Sequence, residues 1–77
     1  MNDELKQAIE TALQQCKNPY ALAYLKAIPE SEQTYGEKGL RTQLLYCLNN
    51  MTYWRGNTAK NIKGVFKRHI RELEKRL

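Results

Sequence analysis

The sequence predicts an all-α fold: a small three- to four-helix bundle, with residues 1–77 as a single domain. Three observations predict it. Apolar residues recur at intervals of three and four along most of the chain. The breaks between those runs fall at residues that cap or interrupt helices: Asn18-Pro19, Pro29, Thr34 to Glu37 and Asn49-Asn50. No run alternates with period two for long enough to make a strand.

The first helix is expected over residues 3–17. Leu5, Ala8, Ile9, Ala12, Leu13 and Cys16 share one face, with Lys6, Gln7, Glu10 and Gln14 turned outward. Asp3 and Glu4 suit the positive end of its dipole. Asn18 can cap the next helix, and Pro19 at the first helical position gives up only an amide that had no partner. That second helix, residues 19–28, is short and apolar nearly all round through Tyr20, Ala21, Leu22, Ala23, Tyr24, Leu25, Ala27 and Ile28. Such a helix is expected to lie centrally, with Pro29 ending it and residues 29–34 forming a polar connection.

Thr34-Tyr35-Gly36-Glu37 has the spacing of a capping box and opens a third helix, residues 35–49. Leu40, Leu44, Leu45, Cys47, Leu48 and Met51 make its buried stripe, and Asn49-Asn50 turns the chain. The fourth helix spans residues 54–76, with Thr52 and Asn57 as candidate caps. Ile62, Val65, Phe66, His69, Ile70, Leu73 and Leu77 form its apolar stripe. Taking Ile62 as zero at ~100° per residue, Lys60, Lys63, Lys67, Arg68, Arg71 and Lys75 fall between about 100° and 240°, on the opposite face. Arg76, at ~320°, flanks the apolar stripe.

Seventy-seven residues permit one thin core. Apolar content of 42% and charged content of 27% are those of a globular chain rather than a disordered or fibrous one. The acidic start Met1-Asn2-Asp3-Glu4 is unlike a signal peptide, and no apolar run is long enough for a membrane span. A cytoplasmic protein is the simplest expectation, with Cys16 and Cys47 as reduced, buried hydrophobes.

Charge divides the chain unevenly. Residues 1–39 hold six acids and four lysines, net −2, whereas residues 40–77 hold nine cations and two acids, net +7. Such a split points to a surface that meets an anionic partner. The candidate contact residues are Trp54, Arg55, Lys60, Lys63, Lys67, Arg68, Arg71 and Lys75. Lysine and arginine at successive helical turns can meet phosphates, and Trp54 beside Arg55 suits either base stacking or an interface anchor. A tryptophan that closes one end of the bundle is the competing reading.

A helix-turn-helix is the weaker reading of the same segment. Its turn would be long, and its exposed face is mostly lysine rather than the residues that read base edges. Catalysis finds little support: His69 is the sole histidine, and Cys16, Cys47 and His69 have no zinc-knuckle spacing. The four glycines are scattered and make no phosphate loop. Neither a catalytic residue nor a metal or other cofactor is expected.

Tyr35-Gly36-x-x-Gly39-Leu40-x-x-Gln43-Leu44-Leu45-Tyr46-x-Leu48-x-Asn50, followed by Trp54-Arg55-Gly56-x-x-Ala59-Lys60-x-x-Lys63, resembles small uncharacterised proteins encoded by bacteriophages and prophages. The upstream Tyr20-Ala21-x-x-Tyr24-Leu25-x-Ala27-x-Pro29 extends the resemblance over most of residues 19–66. It implies a mobile-element product acting in bacterial cytoplasm and transfers no site. The expected function is therefore non-enzymatic: contact with nucleic-acid phosphates without strong sequence preference. The alternatives are docking on an acidic host or phage protein, and self-association as a homodimer through the first or third helix.

Overall fold

Asparagine and proline set where the first three helices begin. The computed structural model, which describes residues 1–77, holds α1 (Asp3–Gln15), α2 (Pro19–Lys26), α3 (Ile28–Asn49) and α4 (Asn57–Arg76). Asn2 caps α1, its side-chain oxygen accepting from the Leu5 amide at 2.9 Å. Asn18 caps α2 in the same way through the Ala21 amide at 2.9 Å, and Pro19 occupies the first turn as expected.

The start of α3 differs from the sequence expectation. Pro29 opens this helix rather than ending the one before it, so the expected polar connection over residues 29–34 is helical. A proline after a break serves either purpose, because its locked φ fits a helical first turn. The expected capping box does not form at Thr34. The break falls at Gly36 instead, where φ 69° and ψ −149° kink α3 into two segments. Only glycine adopts that conformation without steric cost. Gly39 is constrained differently: an added Cβ would lie 2.4 Å from the Ser31 carbonyl oxygen and 2.6 Å from Tyr35 Cβ.

α4 starts at Asn57, later than residue 54, and its cap position is Gly56 at φ 112° rather than Thr52 or Asn57. The connection from Asn50 to Gly56 is held by backbone bonds from the Met51 amide to the Leu48 carbonyl and from the Trp54 amide to the Met51 carbonyl, both 3.1 Å. Asn18 Nδ2 also donates to the Tyr53 hydroxyl, which ties this connection to the start of α2.

α1 packs on α2 and α4, and α3 packs on the same two, so α2 and α4 lie on opposite sides of the molecule. Its principal dimensions are 31 × 21 × 20 Å. Leu5, Leu25, Ile28, Leu44, Cys47, Met51 and Phe66 are the largest fully buried side chains. The expected stripes of α1 and α4 face inward, save that Leu13 and Val65 are only partly covered and Leu77 is 58% exposed. Burial pushes the Cys47 thiol up to about 12, and neighbouring Cys16 adds to the effect. Both thiols are free and buried.

α2 is not the all-round buried helix that its composition suggests. Only Ala21 and Leu25 are fully enclosed, while Tyr20 is 68% exposed and Tyr24 also faces outward. A tyrosine ring can lie over apolar neighbours with its hydroxyl in water, so counting it as core overstated the burial. A buried polar residue, Gln43, joins α2 to α3. Its Nε2 donates to the Tyr24 carbonyl at 2.9 Å, and the Ser31 hydroxyl meets its Oε1 at 3.1 Å.

Candidate partner-binding surface on helix α4

α4 is amphipathic because Ala59, Ile62, Phe66, His69, Ile70 and Leu73 recur at helical spacing and are buried against α1 and α3. Its cations therefore point outward, but they fall into two groups.

The first group is engaged within the protein. Arg68 pairs with Glu4 of α1. The Arg68 guanidinium holds the Glu4 carboxyl below the ordinary carboxylate range, against partial desolvation, and His69 adds to the lowering. Glu4 raises the Arg68 pKa in return. His69, buried at the edge of the apolar stripe, lies 3.3 Å from Glu4 through Nε2 and 3.9 Å from Glu72 through Nδ1. Arg76 meets Glu37 of α3, its Nη2 at 2.6 Å and its Nε at 2.9 Å from the same carboxylate oxygen. Glu74 is taken by Arg41 of α3 at 3.2 Å. Acids distant in sequence thus neutralise part of the basic helix, a pairing that local charge counting misses.

The second group forms no ion pair. It comprises Lys60, Lys63, Lys67 and Arg71, with Lys75 nearer the C-terminus, and Arg55 in the connection before α4 joins it. Lys63, Lys67, Arg71 and Lys75 succeed one another at four-residue intervals. From Lys60 to Arg71 the row runs about 17 Å along the helix, at 1.5 Å per residue. Lys63 Nζ also donates to the Trp54 carbonyl, which fixes this end of the row to the preceding loop. Trp54, Arg55, Lys60 and Lys63 surround one shallow recess there.

Lys63, Lys67 and Arg71 also form one wall of a groove between α3 and α4, about 570 Å³ in volume. Leu45, Leu48 and Ile70 contribute its apolar part, and Asn49, Thr52 and Glu74 complete it. Leu45 and Leu48, expected in the buried stripe of the third helix, are only partly covered.

Of the eight residues singled out in the sequence, Arg55, Lys60, Lys63, Lys67 and Arg71 come together on one surface. Arg68 turns toward α1 and is occupied by Glu4. Lys75 is exposed and lines neither the groove nor the recess. Trp54 packs half-buried on the core, so most of its surface serves packing. No group of three or more His, Cys, Asp and Glu side chains is placed to hold a metal ion, and no helix is long and apolar enough to cross a membrane. No family model matches the chain, and neither a curated protein nor a solved structure does.

Proposed function

We propose that this protein is a non-enzymatic binding protein whose row Arg55, Lys60, Lys63, Lys67 and Arg71 contacts nucleic-acid phosphates without strong sequence preference. The observation that carries the reading is the division among the cations of α4 and of the connection before it. Arg68 and Arg76 have carboxylate partners, whereas five cations along one ridge have none. Like charges four residues apart on a helix repel, each pair at a cost of about 0.2–0.5 kcal/mol, so the row works against folding. An anionic partner turns that repulsion into attraction and releases its own condensed counterions. Half-burial of Trp54 favours backbone contact over base stacking as the dominant mode. The sequence resemblance supplies the context, a phage or mobile-element product acting in bacterial cytoplasm.

One feature favours a second reading. The groove between α3 and α4 sets Leu45, Leu48 and Ile70 beside the cations, and that combination suits an acidic amphipathic helix of a partner protein. Salt separates the two. On mixed-sequence duplex, neutralising about five phosphates gives a slope of log K against log salt near −4 to −5. A protein partner anchored by apolar side chains responds far less. Titration of a labelled duplex across salt concentrations tests the primary reading, and a flat response or absent binding would reject it.

A further inference from the structure

We infer that the nucleic acid met by the α4 ridge is single-stranded, its bases lying in the groove between α3 and α4 while its phosphates follow the cations along the rim. The inference rests on the phosphate-contact reading above and names the form of nucleic acid that the surface fits. Its first support is the make-up of the groove. Three cations, Lys63, Lys67 and Arg71, share it with three aliphatic side chains, Leu45, Leu48 and Ile70. Glu74 is the sole acid there, and Arg41 of α3 pairs with it at 3.2 Å. Positive charge and apolar surface thus meet in one depression of about 570 Å³, within the ~300–1,000 Å³ of clefts that enclose small molecules.

Duplex, single strand and protein make different use of such a surface. A duplex turns its phosphates outward and keeps its base faces stacked inside, so the aliphatic side chains beside the cations gain nothing from it. A single strand presents both at once. Its phosphates can meet the rim and its base faces can cover Leu45, Leu48 and Ile70, while base edges reach the exposed Asn49 and Thr52 in the same groove. Spacing agrees. Lys63, Lys67 and Arg71 are four residues apart, a rise of about 6 Å per step, comparable with the step between successive phosphates of an extended strand. The path also continues beyond the groove. Lys63 lines both the groove and the recess that holds Trp54, Arg55 and Lys60. A flexible strand can pass from one depression to the next, whereas a duplex, stiff over about 150 base pairs, cannot follow them. An acidic amphipathic helix is served less well. It is about 10–12 Å across and inserts anchors over two turns, where this groove offers three aliphatic side chains divided between two helices.

The test titrates the full chain with three probes of equal length across salt concentration. They are an oligothymidylate of about 12 nucleotides, within the ~4–16 of single-strand sites, the same strand with abasic sugars throughout, and a mixed-sequence duplex. The abasic strand keeps every phosphate and lacks every base. For five contacts both strands should give a slope of log K against log salt near about −3.5, and the duplex about −4.5. The two strands should run parallel, the thymidine strand at least about fivefold tighter at every salt concentration, the lower end for one base packed on a side-chain platform. The duplex should fall progressively below the thymidine strand as salt rises. Leu45→Gln, verified folded by circular dichroism, should weaken the thymidine strand and leave the abasic strand and the duplex as they are. Equal binding of the thymidine and abasic strands would overturn the inference and leave the phosphate reading intact, as would a duplex that binds at least as tightly as the thymidine strand at every salt concentration. Failure of all three probes to bind would reject the phosphate reading as well. An acidic amphipathic peptide that binds where the thymidine strand does not, and loses affinity in Leu45→Gln, would assign the groove to a protein partner and overturn the inference.

Discussion

Phe66 is the residue on which this fold depends most. It is fully buried at the meeting of α4 with α1 and α3, in a chain with 19 buried residues to close around a void. Phe66→Ala should cost about 3–5 kcal/mol, lost transfer energy together with a cavity. Urea denaturation measures it, and an unchanged midpoint would mean that the wrong face of α4 has been placed inside. Glu4 acts at the surface and through pH. Arg68, and then His69, hold its pKa below the ordinary value. A depressed carboxylate stabilises the fold above its unfolded pKa, and that contribution fades as pH falls through the folded one. Glu4→Gln should therefore lower the melting temperature near neutrality, with the gap from the parent closing below about pH 4. A gap of constant size down to pH 2 would show that Glu4 acts by packing rather than charge.

Among whole elements, the three glycines at helical positions behave differently, and they test how α3 and α4 are built. Gly64 lies exposed within α4 with open space around its missing Cβ. Gly64→Ala should stabilise by about 0.8–1 kcal/mol from helix propensity. Gly36→Ala should destabilise by about 1–2 kcal/mol, because φ 69° is left-handed. Gly39→Ala should destabilise too, its Cβ meeting the Ser31 carbonyl oxygen at 2.4 Å. Thermal melts of the three proteins check the order, and a Gly36→Ala protein as stable as the parent would mean that α3 is not kinked there. The elements themselves were legible because helical periodicity is a strong signal: the inward faces of α1 and α4 and the Asn18-Pro19 start of α2 read directly from the sequence. The course of residues 29–36 was not. Pro29 serves equally as terminator or first-turn residue, and Ala27 stays near helical geometry at φ −83°, ψ −6°. Thr34 and Glu37 offered a local cap, but the kink at Gly36 and the pairing of Glu37 with Arg76 won. The outward turn of Tyr20 and Tyr24 was hidden because a tyrosine has the same apolar body inside or outside.

For the molecule as a whole, the fold divides cations that meet a carboxylate from cations that meet none, and the division can be measured. Periodicity placed Lys60, Lys63, Lys67 and Arg71 on an outer face, but it could not say which α4 cations have partners. Glu4 and Glu37 lie more than thirty residues away in sequence from the arginines they meet. Two sets of variants should therefore separate. Changing Lys60, Lys63, Lys67 and Arg71 to Gln leaves helix propensity nearly unaltered. It also removes the repulsion between Lys63 and Lys67 and between Lys67 and Arg71, against the loss of the Lys63 bond to the Trp54 carbonyl, so the melting temperature should stay close to that of the parent. The same protein should lose duplex binding, its salt slope falling by about 0.9 for each phosphate contact removed. Arg68→Gln and Arg76→Gln should show the reverse. Each breaks a contact between helices and lowers the melting temperature, while binding changes only by a screened long-range amount. Measuring melting and salt-dependent binding on all three proteins tests both halves together. If the quadruple variant binds duplex as the parent does, the ridge is a solvated surface. If it melts well below the parent, and a variant with only Lys60, Lys67 and Arg71 changed to Gln does so too, those three cations also have partners within the fold.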